Sequence, residues 1–334
     1  MTSGNDTTGR TATSGGDPPA EARKRLLAGI GVVERRLDLG DISTAVLEGG
    51  EGPPVVLLHG PGGNATHWHR VLPDLVANRR VIAPDLPGQG ATEVTGAPLD
   101  ADRVLDWLLD LIDRTCASPP TLVGFALGGA IAARFAADHR SRNRTDSSTG
   151  SKGNAGSADT GGSGSDSRLD RLVLVDALGL VPFDPAPDFG VALNDFLSQP
   201  TPGSHDRLWQ HCALDLDTLQ SRLGGHWDDF RAYNVDRAQT PSVQSSLRAL
   251  MAAFGGPAIP AEDLARISVP TTLVWGRQDL ATPLHVAQAV SERYGWPLHV
   301  IEDCGDDPAV EAPEKFLGAL RSALSAQSVV RSAS

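Results

Sequence analysis

The run TLVGFALGG, Thr121 to Gly129, constrains this chain more than any other stretch. Its first five residues read as a buried strand, and the small residues after Phe125 read as a helix able to pack closely on a sheet, so the backbone must turn sharply at Ala126. Further apolar strands are read at VVERRLDL, ISTAVLEG, PPVVLL, RRVIAPD, RLVLVDA and TTLVWG. Helical patterns fall between them. In DADRVLDWLLDLIDRTC the apolar residues Val104, Leu108, Leu111 and Ile112 share one helix face, and further helices are expected at AEARKRLLAGI and from about Trp68. Strand alternating with helix predicts an α/β fold, with a mostly parallel sheet covered on both faces and any ligand at the C-terminal ends of the strands.

Motifs around this run follow a recognisable order. PPVVLLHGPGG (Pro53 to Gly63) looks like a strand and the glycine-rich loop of an oxyanion hole, and VIAPDLPGQG (Val81 to Gly90) like the next strand and its turn. TTLVWGRQD ends at Asp279, where a catalytic triad acid would stand, and LHVIEDCGDDP runs into the loop where a triad histidine would stand. With TLVGFALGG in the place of a Gly-x-Ser-x-Gly nucleophile elbow, the chain resembles the α/β-hydrolase superfamily over about residues 30 to 325. The resemblance implies an eight-stranded sheet in a core of residues 21–180 and 269–326, with a helical cap inserted at 181–268.

The departures from that pattern bear most on function. Ala126 stands where the superfamily has its nucleophile, and a methyl group cannot attack a carbonyl. Asp306 stands where the histidine base is expected, in Gly305-Asp306-Asp307-Pro308. The residue that would give the first oxyanion N–H is Pro61, which has none, so of the two usual donors only the Leu127 N–H remains. On the superfamily pattern Asp279 and Asp306 lie close together, where two carboxylates cannot both ionise cheaply and one keeps a proton. Such a pair suits cyclisation, isomerisation or C–C bond formation by proton transfer, with no acyl-enzyme. The expected catalytic residues are therefore Asp279 and Asp306, with Leu127, Asn64 and His67 polarising the substrate.

Several residues have a plainer reading. Asp306 and Asp307 could form a solvated loop pair, with Asp279 capping the turn at Thr282-Pro283. His59 is expected to brace its loop, Asp85 to tie down its turn, and Asp176 to be structural or a second acid. In the cap, aromatic side chains belong either to its own core or to the ligand. The pocket expected from the resemblance comprises Pro61, Gly62, Phe125, Ala126, Trp209, His211, Trp227, Phe230 and Tyr233.

Composition narrows the partners. A chain of 334 residues with 40% hydrophobic residues buries a sizeable core, and its net charge of −12 argues against nucleic acid or an anionic membrane. No apolar run approaches the roughly 20 residues that cross a bilayer. The polar start, 1–20, reads as a disordered tail without a secretory signal, and the Ser/Gly-rich stretch 141–167 as a disordered insertion. Cys116, Cys212 and Cys304 show neither metal spacing nor a disulfide framework, which points to the cytoplasm. With no glycine fingerprint for a dinucleotide, no P-loop and no clustered metal ligands, no cofactor is expected. The partner is expected to be a small molecule, and the oligomeric state is open.

The Ala-, Gly-, Asp- and Arg-rich composition resembles that of high-GC actinobacteria. By analogy with cyclases and C–C bond-forming members of the superfamily in such bacteria, the resemblance implies tailoring of a bulky aromatic or polyketide-like natural-product intermediate. Two alternatives stay open: a pseudo-hydrolase that binds a ligand without turnover, and a serine hydrolase in which Ala126 replaces an engineered-out serine.

Overall fold

The computed structural model describes residues 18–138 and 167–325. Residues 1–17 of the expected tail and 141–166 of the expected insertion lie outside the described residues. The first helix begins at Pro18, inside the stretch 1–20 expected as a tail.

The sheet is built from β1 (Val32–Leu39), β2 (Ile42–Gly49), β3 (Pro54–Leu58), β4 (Arg80–Pro84), β5 (Glu93–Val94), β6 (Thr121–Phe125), β7 (Arg171–Val175), β8 (Thr271–Gly276) and β9 (Leu298–Ile301). Eight strands run in the order β1-β2-β4-β3-β6-β7-β8-β9, and the two-residue β5 pairs with β2 beside that path. From β4 through β9 the neighbours are parallel, whereas β2 is antiparallel to both β1 and β4. Strands β3, β6 and β8 are buried along their whole length, which is why they read as unbroken apolar runs. The edge strand β1 is exposed at Glu34, Arg35 and Arg36, charges that discourage pairing with another chain. Chain order reverses between β3 and β6, and the crevice beyond their C-terminal ends is where such sheets bind ligands.

The turn between β6 and the helix Leu127–Ala137 is as sharp as the small residues foretell. Ala126 sits at φ 46° and ψ −109°, a conformation that costs a non-glycine residue of order 1–3 kcal/mol. Two glycines make the turn possible: a Cβ on Gly124 would come within 2.3 Å of the Gly128 carbonyl oxygen, and one on Gly128 within 2.4 Å of the Leu58 carbonyl oxygen. The Ala126 N–H donates to Val175 O at 2.9 Å and the Gly128 N–H to His59 O at 3.1 Å, which holds the strained residue in place.

The helix Ala101–Thr115 buries the four expected residues and also Leu105 and Trp107, with Asp100 as its N-cap. The helix expected from about Trp68 is instead a 3-10 turn, Ala65–Arg70, followed by a short helix, Leu72–Val76. Pro73 explains the break. Proline has no N–H for an interior helical bond, so it sits in the first turn of a new helix.

After β7 the strands stop, and helices Pro187–Ser198, Pro202–Cys212, Leu216–Leu223, Gly225–Gln239 and Pro241–Leu250 follow. The first four build a second apolar cluster around Phe189, Phe196, Leu208, Trp209, Trp227 and Phe230, while Pro241–Leu250 joins the main core through Leu247 and Leu250. The first helix, Pro18–Leu27, packs on the main core through Leu27 and joins the second cluster through Leu26. Its neighbour Arg25 forms a two-pronged ion pair with Asp229 on Gly225–Gln239, at 2.5 to 3.0 Å.

Candidate active site

Between the sheet's C-terminal edge and the helical segment lies a cavity of about 150 Å³. The loop after β3 gives it Pro61 and Gly62, the turn after β6 gives Phe125 and Ala126, and the helices give Trp209, Cys212, Phe230 and Asn234. His67, Asp306 and Asp307 complete its polar wall.

Asp306 is buried at 9% exposure, and its Oδ1 has no hydrogen-bond partner among the described residues. Four more acids of the same region are buried, Asp307 in the wall beside it and Asp176, Asp279 and Glu311 outside the wall. Burial pushes the Asp306 carboxyl well above the usual carboxylate range, the charges of Asp279 and Asp307 push further, and a hydrogen bond with the Cys212 side chain works the other way. Asp176, held at φ 42° past the end of β7, is likewise raised by burial and then by Asp279, although its Oδ1 accepts the Gly276 N–H at 2.8 Å. Burial pushes Asp279 up to about 7, against the N–H groups of Thr282 and Ala281 that its Oδ1 accepts at 2.9 and 2.7 Å. The other carboxyl oxygen of each, Asp279 Oδ2 and Asp176 Oδ2, is buried without a hydrogen-bond partner among the described residues. Glu311 ties the loop together: its Oε2 accepts the Gly305 N–H at 2.6 Å and its Oε1 the Leu214 N–H at 2.7 Å.

Asp307, a residue the sequence reading left as a loop acid, meets His67. His67 Nε2 lies 3.0 Å from Asp307 Oδ1, without good hydrogen-bond alignment, and the imidazole stacks on Phe125 with ring centroids 4.9 Å apart. The solvated-pair alternative for Asp306 and Asp307 is thereby corrected, since both are buried. Its other half holds, because Asp279 does cap the turn at Thr282.

Not every expected residue reaches the cavity. Asn64 instead caps the 3-10 turn, its Oδ1 accepting from Thr66 N at 3.0 Å and Arg23 Nη1 at 3.2 Å while its amide donates to Asn234 Oδ1 at 3.1 Å. With these partners it is a brace, not a polarising group. Trp227 packs edge-on against Trp209 at 5.3 Å and belongs to the cover's own core. Tyr233 accepts from Arg23 Nη1 at 3.3 Å, and His211 is half-buried; neither lines the cavity. Asp279 lies behind Asp306 rather than in the wall. The Leu127 side chain is buried, and what it offers is its backbone N–H, which starts a helix and so has no intrahelical acceptor.

The braces are as expected. His59 Nε2 accepts the Leu86 N–H at 2.9 Å while its Nδ1 meets Gly60 O at 2.8 Å; burial lowers it to about 4, so it is neutral. Asp85 accepts the N–H groups of Ala65 and Ala91 at 2.6 and 2.7 Å. All three cysteines are buried and free, and burial followed by the charge of Asp306 keeps Cys212 a thiol. Among the described residues no cluster of His, Cys, Asp or Glu is arranged to hold a metal ion, and no helix is long and apolar enough to cross a membrane.

The acid cluster sets a pH dependence. Carboxyls raised in the folded state favour folding most while they stay protonated, so their contribution is whole below the unfolded value near 4 and is lost as pH climbs through the folded value, about 7 for Asp279, with Asp176 and Asp306 likewise raised by burial. The melting temperature is expected to fall by about 5 °C or more from pH 5 to pH 8, at about 2 °C per kcal/mol for a chain of this size. Thermal scans of the Asp306→Asn variant should show a shallower slope. An equally steep slope would remove the cluster as its cause.

Comparison with known proteins agrees with this architecture. The chain is 27% identical to the pimeloyl-[acyl-carrier protein] methyl ester esterase of Aeromonas hydrophila over 83% of this chain and 97% of that protein. It is 26% identical to the 2-hydroxy-6-oxo-6-(2'-aminophenyl)hexa-2,4-dienoic acid hydrolase of Metapseudomonas resinovorans over 88% of this chain and 91% of that one. Among solved structures, the 2-hydroxy-6-oxo-6-phenylhexa-2,4-dienoate hydrolase of Rhodococcus sp. strain RHA1 superposes with a TM-score of 0.70 at 22% identity, covering 88% of this chain and 99% of that one. Residues 55–319 match the family model described as "Alpha/beta hydrolase family", and on that match, together with the sheet order and the elbow turn, the chain belongs to the alpha/beta hydrolase family.

Proposed function

We propose that this chain is a non-hydrolytic member of its family with a degenerate triad, moving a proton on a bulky aromatic or polyketide-like intermediate so that it cyclises, isomerises or forms a C–C bond. The segment 181–268 acts as the inserted cap in this reading. The observation that carries it is Asp306: a buried carboxyl whose ionisation burial opposes, its Oδ1 without a partner among the described residues, in the wall of a mostly apolar cavity. A neutral carboxylic acid donates its proton to a developing enolate or alkoxide oxygen. The Leu127 N–H polarises the same oxygen. His67, steadied by Asp307 and Phe125, takes a proton from the substrate on its side of the cavity, and Asp279 and Asp176 behind Asp306 keep it supplied. No bond to the protein forms, and Ala126 leaves room for the ring that reacts.

The relatives carry hydrolase names, and hydrolysis is the reading to test against. Incubation of the purified protein with a metabolite extract, followed by mass spectrometry of what binds, is expected to show a compound converted to a product of equal mass. A mass gain of one water would overturn the reading in favour of hydrolysis. A compound retained unchanged would overturn it in favour of a binding protein.

A further inference from the structure

The cavity at Asp306 is small for the substrate proposed above: about 150 Å³, against the roughly 300–1,000 Å³ of ordinary small-molecule pockets. Next to it lies a second cleft of about 560 Å³. Leu178, Phe183 and Ala281 belong to the walls of both, so the two are neighbouring chambers divided by those side chains. The outer chamber runs from the loop after β7 to the helix Leu284–Tyr294, and its lining is chiefly apolar, with Val286 and Val290 on that helix and Ile259 and Leu264 across from it.

One polar group in its wall lacks a partner. Thr282 is 5% exposed; its N–H donates to Asp279 and its carbonyl accepts from Trp275 Nε1 at 2.8 Å, but its hydroxyl has no hydrogen bond among the described residues. Buried hydroxyls are seldom left so, and a ligand oxygen would meet it. Arg23 ties the helical cover to the core on the other half of the sheet, and on the β7–β8 side the inner chamber adjoins the outer one.

We infer that the outer chamber holds the distal body of the same substrate: an extended, mostly apolar molecule with a carbonyl or hydroxyl oxygen at Thr282, whose reacting end passes Phe183 to reach Asp306. The inference rests on the proposed function for the identity of the reacting end. Phe183, in both walls, then sets which end shapes can pass.

Binding separates the two claims. Isothermal titration of the full chain with 4'-hydroxychalcone, a two-ring probe, and acetophenone, a one-ring probe, is compared with Ala289→Trp and Thr282→Val. Ala289 is exposed and lines only the outer chamber. Ala289→Trp is expected to weaken chalcone binding at least tenfold, and Thr282→Val at least threefold, with acetophenone unchanged within twofold in both. Chalcone affinity unmoved by Ala289→Trp, equal losses for both probes, or no chalcone binding by the unaltered chain would overturn the inference. A hydrolase or a binding protein would leave this binding pattern untouched, so failure of the proton-transfer reading shows only in the equal-mass experiment.

Discussion

Asp306→Asn is expected to lower kcat by at least about a hundredfold on the true substrate while leaving the fold intact, since a placed general acid contributes roughly 10²–10⁴ in rate. Asparagine keeps the volume and a hydrogen-bonding group beside Cys212, but it has no acidic proton to give. The same change removes a carboxyl whose ionisation burial, Asp279 and Asp307 all oppose, so the variant should be more stable than the unaltered chain at pH 8. Lost activity with equal or higher stability cannot come from misfolding, and that combination is what steady-state kinetics and thermal scans would read. A fully active Asp306→Asn chain would end the carboxyl mechanism.

Arg23→Met should have the largest effect on stability, about 3–5 kcal/mol by denaturant unfolding. Arg23 is 5% exposed and gathers partners from four parts of the chain: Glu34 at 3.0 Å on β1, Asp85 at 3.1 Å after β4, Asn64 at 3.2 Å on the loop after β3, and Tyr233 at 3.3 Å on the cover. Burial works against its charge, but Asp85, Tyr233 and Glu34 outweigh that and hold it protonated. Methionine fills the stem's space and strands the Asp85 carboxylate, which is fully buried, without its cation. Lysine would not rescue, because one ammonium cannot reach four acceptors in the directions that a guanidinium spans. A loss below about 1 kcal/mol would mean that water replaces the cation.

The sheet and the elbow were legible because parallel strands buried on both faces must be continuous apolar runs, and Gly124, Ala126 and Gly128 mark the only way such a strand turns into a tight helix. Asp306 was legible by its place after β9. The lining of the cavity was legible in part: Pro61, Gly62, Phe125, Ala126, Trp209 and Phe230 line it, whereas His211, Trp227 and Tyr233 do not. Trp227, Phe230 and Tyr233 lie within two turns of one helix, and whether a ring faces the cavity or the cover's core depends on how that helix rolls on its neighbours, which no local pattern records. The His67 and Asp307 pair joins residues far apart in sequence, so neither announces the other. Arg23 was missed for a related reason: nothing around it in AEARKRLL distinguishes a buried arginine from its exposed neighbours.

The Asp306 N–H donates to the Cys212 carbonyl at 3.0 Å, and Gly305 comes so close to that carbonyl that a Cβ there would lie 2.0 Å from it. The cover's helix end and the acid's loop are thus one joint. Any motion that lifts the cover admits water to the carboxyls and lets them discharge their protons; seating it draws protons back from solvent. On the proposed reading, substrate capture that seats the cover is expected to be accompanied by proton uptake.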